Sequence, residues 1–182
     1  DNSTPLSSLA ISQPFYVGDT PLNLEAAGLL YVAPATLIRA SAQDAGVGVR
    51  TVTTNLDSTG YSVIADRTNF TEGLNTLAYR SDDLLLNLES DHYQVFAADG
   101  TPPVISLTVG TPQANGGAAL GTVVKSTTDL TATAVDPGLP AGPMGSTFGV
   151  ASLPGAGVKS VTQDGSGVPI SVTGPLRLSS PG

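Results

Sequence analysis

Hydrophobic and polar residues alternate along much of this chain in short runs, the period-two pattern of strands buried on one face. The clearest run is Thr36–Gln43, where Ile38, Ala40 and Ala42 fall on one face and Arg39, Ser41 and Gln43 on the other. Ser8–Ser12, Leu29–Val32, Val49–Asn55, Tyr61–Ile64, Asn75–Ser81 and His92–Ala97 read as further strands, the last with Tyr93, Val95 and Ala97 on one face. Turn-forming clusters such as Asp57-Ser58-Thr59-Gly60 separate them. A strand every ~8–12 residues with turn signals between is the pattern of a β-sandwich. Asn23–Leu30 carries helix-forming Leu, Glu and Ala, but it is short and uncapped, so no helix is predicted there.

The runs repeat. Thr4-Pro5 followed by Leu9, Ile11 and Pro14 returns as Thr101-Pro102 followed by Leu107, Val109 and Pro112. Ile38-Arg39-Ala40-Ser41-Ala42-Gln43-Asp44 returns as Leu130-Thr131-Ala132-Thr133-Ala134-Val135-Asp136, and Gly46-Val47-Gly48-Val49 returns as Gly155-Ala156-Gly157-Val158. Blocks matched in the same order predict two tandem modules, residues 1–100 and 101–182. Ala98–Pro103 forms the junction, stiffened by Pro102-Pro103. The spacing between the last two blocks is much longer in the second module. The Gly- and Pro-rich stretch Pro137–Pro154 fills it and reads as an elaborated tip loop of that module. Counterparts of Asn75–Ser81 and His92–Ala97 do not occur in the second module's sequence, so it reads as an incomplete sandwich, either cut short or completed by strand addition from a neighbour.

Composition removes several function classes. Only 12% of residues are charged, against ~25% in an average domain. The net charge is −8 with 7 Lys and Arg, which leaves no basic footprint for nucleic acid. With no Cys, thiol catalysis, Cys-ligated zinc and redox switching are excluded, while modules of this size do without disulfides even outside the cell. No apolar run approaches the ~18 residues of a membrane-spanning helix. No leader is visible at the polar start Asp1-Asn2-Ser3-Thr4, which reads as a mature terminus or an internal one.

Two motifs carry a resemblance. Asp44-Ala45-Gly46-Val47-Gly48-Val49 follows a strand, and late in the module comes Tyr79-Arg80-Ser81-Asp82-Asp83-Leu84-Leu85-Leu86-Asn87-Leu88-Glu89. Together with the module-opening Thr101-Pro102-Pro103 these resemble tandem bacterial immunoglobulin-like surface repeats of the OmpL47 type. In that family's pattern a Gly stands where this chain has Leu86, supplying the positive φ of a tight turn. The resemblance covers residues 30–110 and the first half of the second module. It implies an immunoglobulin-like sandwich and spacer, adhesive or matrix-binding work on the cell exterior rather than catalysis.

Candidate chemistry is sparse. Asp44, Asp82, Asp83, Asn87 and Glu89 end or follow strands that share a pole in such a sandwich, and five oxygen-bearing side chains suit a calcium ion. The competing reading is turn capping, routine for Asp and Asn. His92, the only histidine, reads as a solvent-facing strand residue, with no Gly-x-Ser-x-Gly elbow to partner it. Gly116-Gly117 and Gly165-Ser166-Gly167 read as hairpin turns. Leu84-Leu85-Leu86 with Leu88 either packs over the core's end or forms an exposed patch. The expectation is a non-catalytic extracellular module of a stalk, fibre or filament. Its partners would be other copies, neighbouring immunoglobulin-like modules, matrix or glycan. The alternatives are a carbohydrate- or peptide-binding module using Pro137–Pro154, or an accessory domain of a secreted hydrolase.

Overall fold

A computed structural model describes residues 2–18, 28–115, 122–124, 129–157, 161–162, 169–170 and 176–177. The Gly116-Gly117 and Gly165-Ser166-Gly167 turns lie outside the described residues, as does most of Asn23–Leu30. The described chain is all-β, as the alternation predicts, with one short helical turn, α1 (Gly145–Phe148). It divides into two compact units: residues 1–101 with 138–156, and residues 102–137 with 157–182.

The first unit is a two-layer sandwich. One sheet runs β1 (Leu6–Ile11), β4 (Ile38–Gln43), β6 (Asp66–Arg67). The other runs β2 (Phe15–Val17), β3 (Leu30–Val32), β8 (His92–Ala98), β7 (Gly73–Asp83), β5 (Val49–Leu56). All neighbours are antiparallel except β3 and β8. Ile38 and Ala40 are buried and Arg39 and Ser41 exposed, so the alternation of β4 does set its inner face. Between the layers pack Leu30, Val32, Ile38, Phe70, Leu77, Phe96 and Ala98, with Phe70 edge-on to Phe96 at 4.8 Å. Tyr61–Ile64 is a single bridge, Ser62 to Thr54, rather than a strand. The three-residue β2, outside the strands that the alternation marks, pairs with β3 through Phe15–Val32 and Val17–Leu30.

The larger sheet is buried on its outer face too. Leu29, Tyr31, Leu74, Val95 and Ala97 alternate with the inter-layer residues, and over them lie Leu139, Met144 and Leu153. Residues 138–156 form a strap: β13 (Leu139–Pro140), α1 and β14 (Ser152–Leu153), with Leu139 paired to Leu153. Backbone bonds from Leu74 N to the Ala141 carbonyl (3.2 Å) and from Met144 N to the Leu74 carbonyl (3.1 Å) tie the strap to β7. The Tyr31 hydroxyl donates to the Pro154 carbonyl at 3.1 Å, and Ala156 N to Asp99 Oδ2 at 2.7 Å. Each of the three buried strap side chains contributes roughly 1.5–3 kcal/mol by leaving water. Two glycines permit the approach. A Cβ on Gly73 (φ 99°) would lie 2.5 Å from Gly142 N, and one on Gly142 (φ 73°) 2.2 Å from Leu74 N. Pro137–Pro154 is therefore not a tip loop of the second module: its apolar side chains are spent on the first module's sheet.

The second unit, in its described strands, repeats the β1–β4, β2–β3 and β4–β6 pairings of the first. Its β9 (Val104–Val109) and β12 (Asp129–Val135) pair Leu107 with Ala132 and Val109 with Leu130, as β1 and β4 pair Leu9 with Ala40 and Ile11 with Ile38. Next, β10 (Gln113–Asn115) pairs Gln113 with Val124 of β11 (Thr122–Val124), as Phe15 pairs with Val32. Two-residue strands β15 (Val161–Thr162) and β16 (Pro169–Ile170) pair with each other, and β17 (Leu176–Arg177) joins β12 through Leu130–Leu176, as β6 joins β4 through Ile38–Arg67. The sequence repeat is thus reproduced as strand register. Among the described residues no strand stands in this unit where β7 and β8 stand in the first.

Candidate functional site: the acidic, leucine-tipped pole

One end of the first sandwich gathers the chemistry-bearing residues that the sequence singles out. Leu6 pairs with Gln43 and Val49 with Asp83, and Leu84 N donates to the Gly48 carbonyl at 3.2 Å. The Asp44–Gly48 turn, the Asp82–Glu89 loop, Ser7 and His92 therefore meet at this pole. Asp44 and Asp83 arrive together because β4 and β7 both run toward it.

Each acidic group there is engaged by donors of the protein itself. Asp44 Oδ2 accepts from Gly48 N at 2.7 Å and closes its turn. Asp82 is held by the Arg50 guanidinium and the Thr51 hydroxyl, and the Arg50 bond is the chief cause of its lowered pKa. Asp83 is fully buried; its Oδ1 accepts from the Leu85 and Asn87 amides, both at 2.8 Å, and its Oδ2 from Asn87 Nδ2 at 2.8 Å. Burial alone would raise the Asp83 pKa, but the hydrogen bonds from Asn87 and Leu85 outweigh it and the net shift is down.

Glu89 is the centre of the cluster. Its buried carboxylate receives Ser7 N at 2.8 Å, Ser7 Oγ at 2.5 Å, Ser81 Oγ at 2.9 Å and Ser81 N at 3.2 Å. His92 Nε2 lies 2.8 Å from its Oε1. Burial opposes ionisation of Glu89 most strongly, yet the bonds from Ser7, His92 and Ser81 together lower its pKa. This one side chain joins the edge strand β1 to β7 and β8, that is, one sheet to the other.

The five residues proposed for calcium thus meet at one pole but act there as turn caps, an ion pair and an inter-sheet tie. Among the described residues no three acidic or histidine side chains form a group that could hold a metal ion. His92 departs from its solvent-facing expectation. It shares the face of Phe96 that looks between the sheets, stacks on Tyr79 at 5.2 Å and is half-buried, while Tyr93 is the exposed neighbour. The sidedness was illegible because Val95-Phe96-Ala97-Ala98 is apolar without a break, so both faces of β8 look alike in its second half.

Of the two readings of the leucine run, the exposed one holds. Leu84, Leu85, Leu86 and Leu88 are each more than half exposed, and Leu6 is exposed at the same pole. The loop is nevertheless firmly built: Leu86 N donates to the Asp83 carbonyl at 3.1 Å and Glu89 N to the Ser81 carbonyl at 3.0 Å. Leu86 has φ 69°. Holding a non-glycine residue in this left-handed region costs about 1–2 kcal/mol. Farther along, Arg80 pairs with Asp91 at 3.1 Å and stacks on Tyr61 at 3.9 Å. Burial, then Asp91, pushes the Tyr61 hydroxyl up to about 12.

The packing of the strap on the first sandwich is what sequence reasoning missed. Its signal lay in Leu139, Met144, Phe148, Val150 and Leu153, five large apolar residues in a stretch otherwise of Gly, Pro, Ala, Ser and Thr. A second signal was the unbroken apolar run Val95-Phe96-Ala97-Ala98, which needs cover on both faces. Comparison with protein-family models, with curated proteins and with solved structures gave no match.

Proposed function

We propose that this chain is a non-catalytic structural or adhesive pair of modules of an extracellular bacterial stalk, fibre or filament, with immunoglobulin-like sandwiches as its units. The observation that carries the reading is the tandem repeat itself, two units with matching strand register in one short chain. Repetition of a unit is what extended surface structures are built from, since each copy adds length without new design. A second support is the surface, poor in charge and net acidic, with carboxylates of the prominent pole engaged in holding the sandwich closed. The described helix is one short turn, and no described helix is long and apolar enough to cross a membrane.

Antibody raised against the purified chain provides the test. It is expected to label intact, unpermeabilised cells of the producing organism, and brief protease treatment of whole cells is expected to remove the label. Labelling that appears only after permeabilisation would overturn the proposal.

A further inference from the structure

The strap is part of the second repeat by sequence and part of the first unit by packing. In the first repeat Asp44 Oδ2 accepts from Gly48 N, four residues on. In the second, Asp136 Oδ2 accepts from Gly157 N at 2.5 Å, twenty-one residues on. Gly48 and Gly157 have nearly the same positive φ, 96° and 95°. The same turn is thus closed by the same bond in both repeats, and in the second an arm is inserted between its two ends. The arm is the stretch whose Leu139, Met144 and Leu153 cover Leu29, Tyr31, Leu74, Val95 and Ala97. The chain therefore passes between the two units three times, after Thr101, after Pro137 and after Ala156.

We infer that residues 138–156 are a staple: an arm of the second repeat that the first sandwich requires in order to fold, received by the outer face of the β2-β3-β8-β7-β5 sheet. Three features of that face mark it as a receptor for such an arm. It is apolar where an open sheet face would alternate with polar residues. The main chain of Leu74 offers both its N–H and its carbonyl to the strap. Gly73 meets Gly142 at a separation that no side chain on either would permit. The stapling runs one way, because the first repeat's own Asp44–Gly48 turn is too short to carry an arm.

The test replaces residues 137–156 of the full chain by Ala-Gly-Val, the residues that fill the Asp44–Gly48 turn. The variant is expected to lose the cooperative unfolding transition of the first sandwich and to bind a hydrophobic dye. A synthetic peptide of residues 138–156, added in trans, is expected to restore the transition saturably. Hydrogen exchange supplies a local reading: in the variant the Leu74 amide is expected to exchange roughly ten-fold faster or more, and peptide restores its protection. A variant that keeps the full chain's denaturation midpoint overturns the inference, as does one that no concentration of peptide restores.

Discussion

The two units begin from nearly the same four strands and end differently. In the first, β1 and β4 face a five-stranded sheet, and the strap closes that sheet's far side. In the second, β9 and β12 carry the matching face, yet Ile105 and Leu107 remain 62% and 58% exposed. Sequence similarity fixes which residues pair across a ladder, since pairing is local. Whether the resulting apolar face becomes a core depends on a second layer, and that layer comes from distant chain.

Substitutions at matched depth break this comparison most sharply. Phe96→Ala empties the middle of the first sandwich and is expected to cost about 3–5 kcal/mol in urea unfolding. Leu107→Ala, on the exposed face of the second unit, is expected to change stability by no more than about 0.5 kcal/mol. Equal losses at the two sites would show that Leu107 is as well covered as Phe96.

Glycines sharpen it next. Gly73→Ala meets both a positive φ and the backbone of Gly142, and a loss of about 2–3 kcal/mol is expected. Gly48 and Gly157 have the same sign of φ with nothing within 4 Å, so alanine at either is expected to cost only about 1 kcal/mol. If Gly73 behaves like the other two, the strap does not press on β7.

Acid acts on the first unit through its carboxylates. Asp82, Asp83 and Glu89 all have lowered pKa values in the folded first unit. They contribute stability that is full above the ordinary values of 3.8 and 4.5 and is lost as pH falls through their lower folded values. Asp57, raised by burial, opposes this trend. The first unit's melting temperature is therefore expected to drop below about pH 4.5. Glu89→Gln is expected to cost about 1.5–3 kcal/mol at pH 7 and to flatten that drop. A melting temperature that stays level to pH 3 in the unmodified chain would count against the assignment.

The smallest effect belongs to the leucine tip. Leu86→Gly relieves the left-handed conformation and is expected to stabilise the first unit by about 1 kcal/mol, whereas Leu85→Ser should leave stability within about 0.5 kcal/mol. Thermal unfolding of the two variants side by side checks both.

The all-β class, the positions of most strands, the repeat, and the gathering of Asp44, Asp82, Asp83, Asn87 and Glu89 at one pole are legible in the residue order. All of these follow from period-two patterning, turn residues and strand direction, which act over a few residues. The packed fold was needed to show that Glu89 ties two sheets together through Ser7 and Ser81, that His92 shares the inner face of Phe96, and that Leu86 takes a left-handed backbone. It alone placed residues 138–156 against the first sandwich. Nothing in the strap's local pattern names its receptor, because burial is set by whichever apolar face lies within reach once the chain has folded. The receptor face is more than forty residues away in sequence, at Leu29, Tyr31, Leu74, Val95 and Ala97.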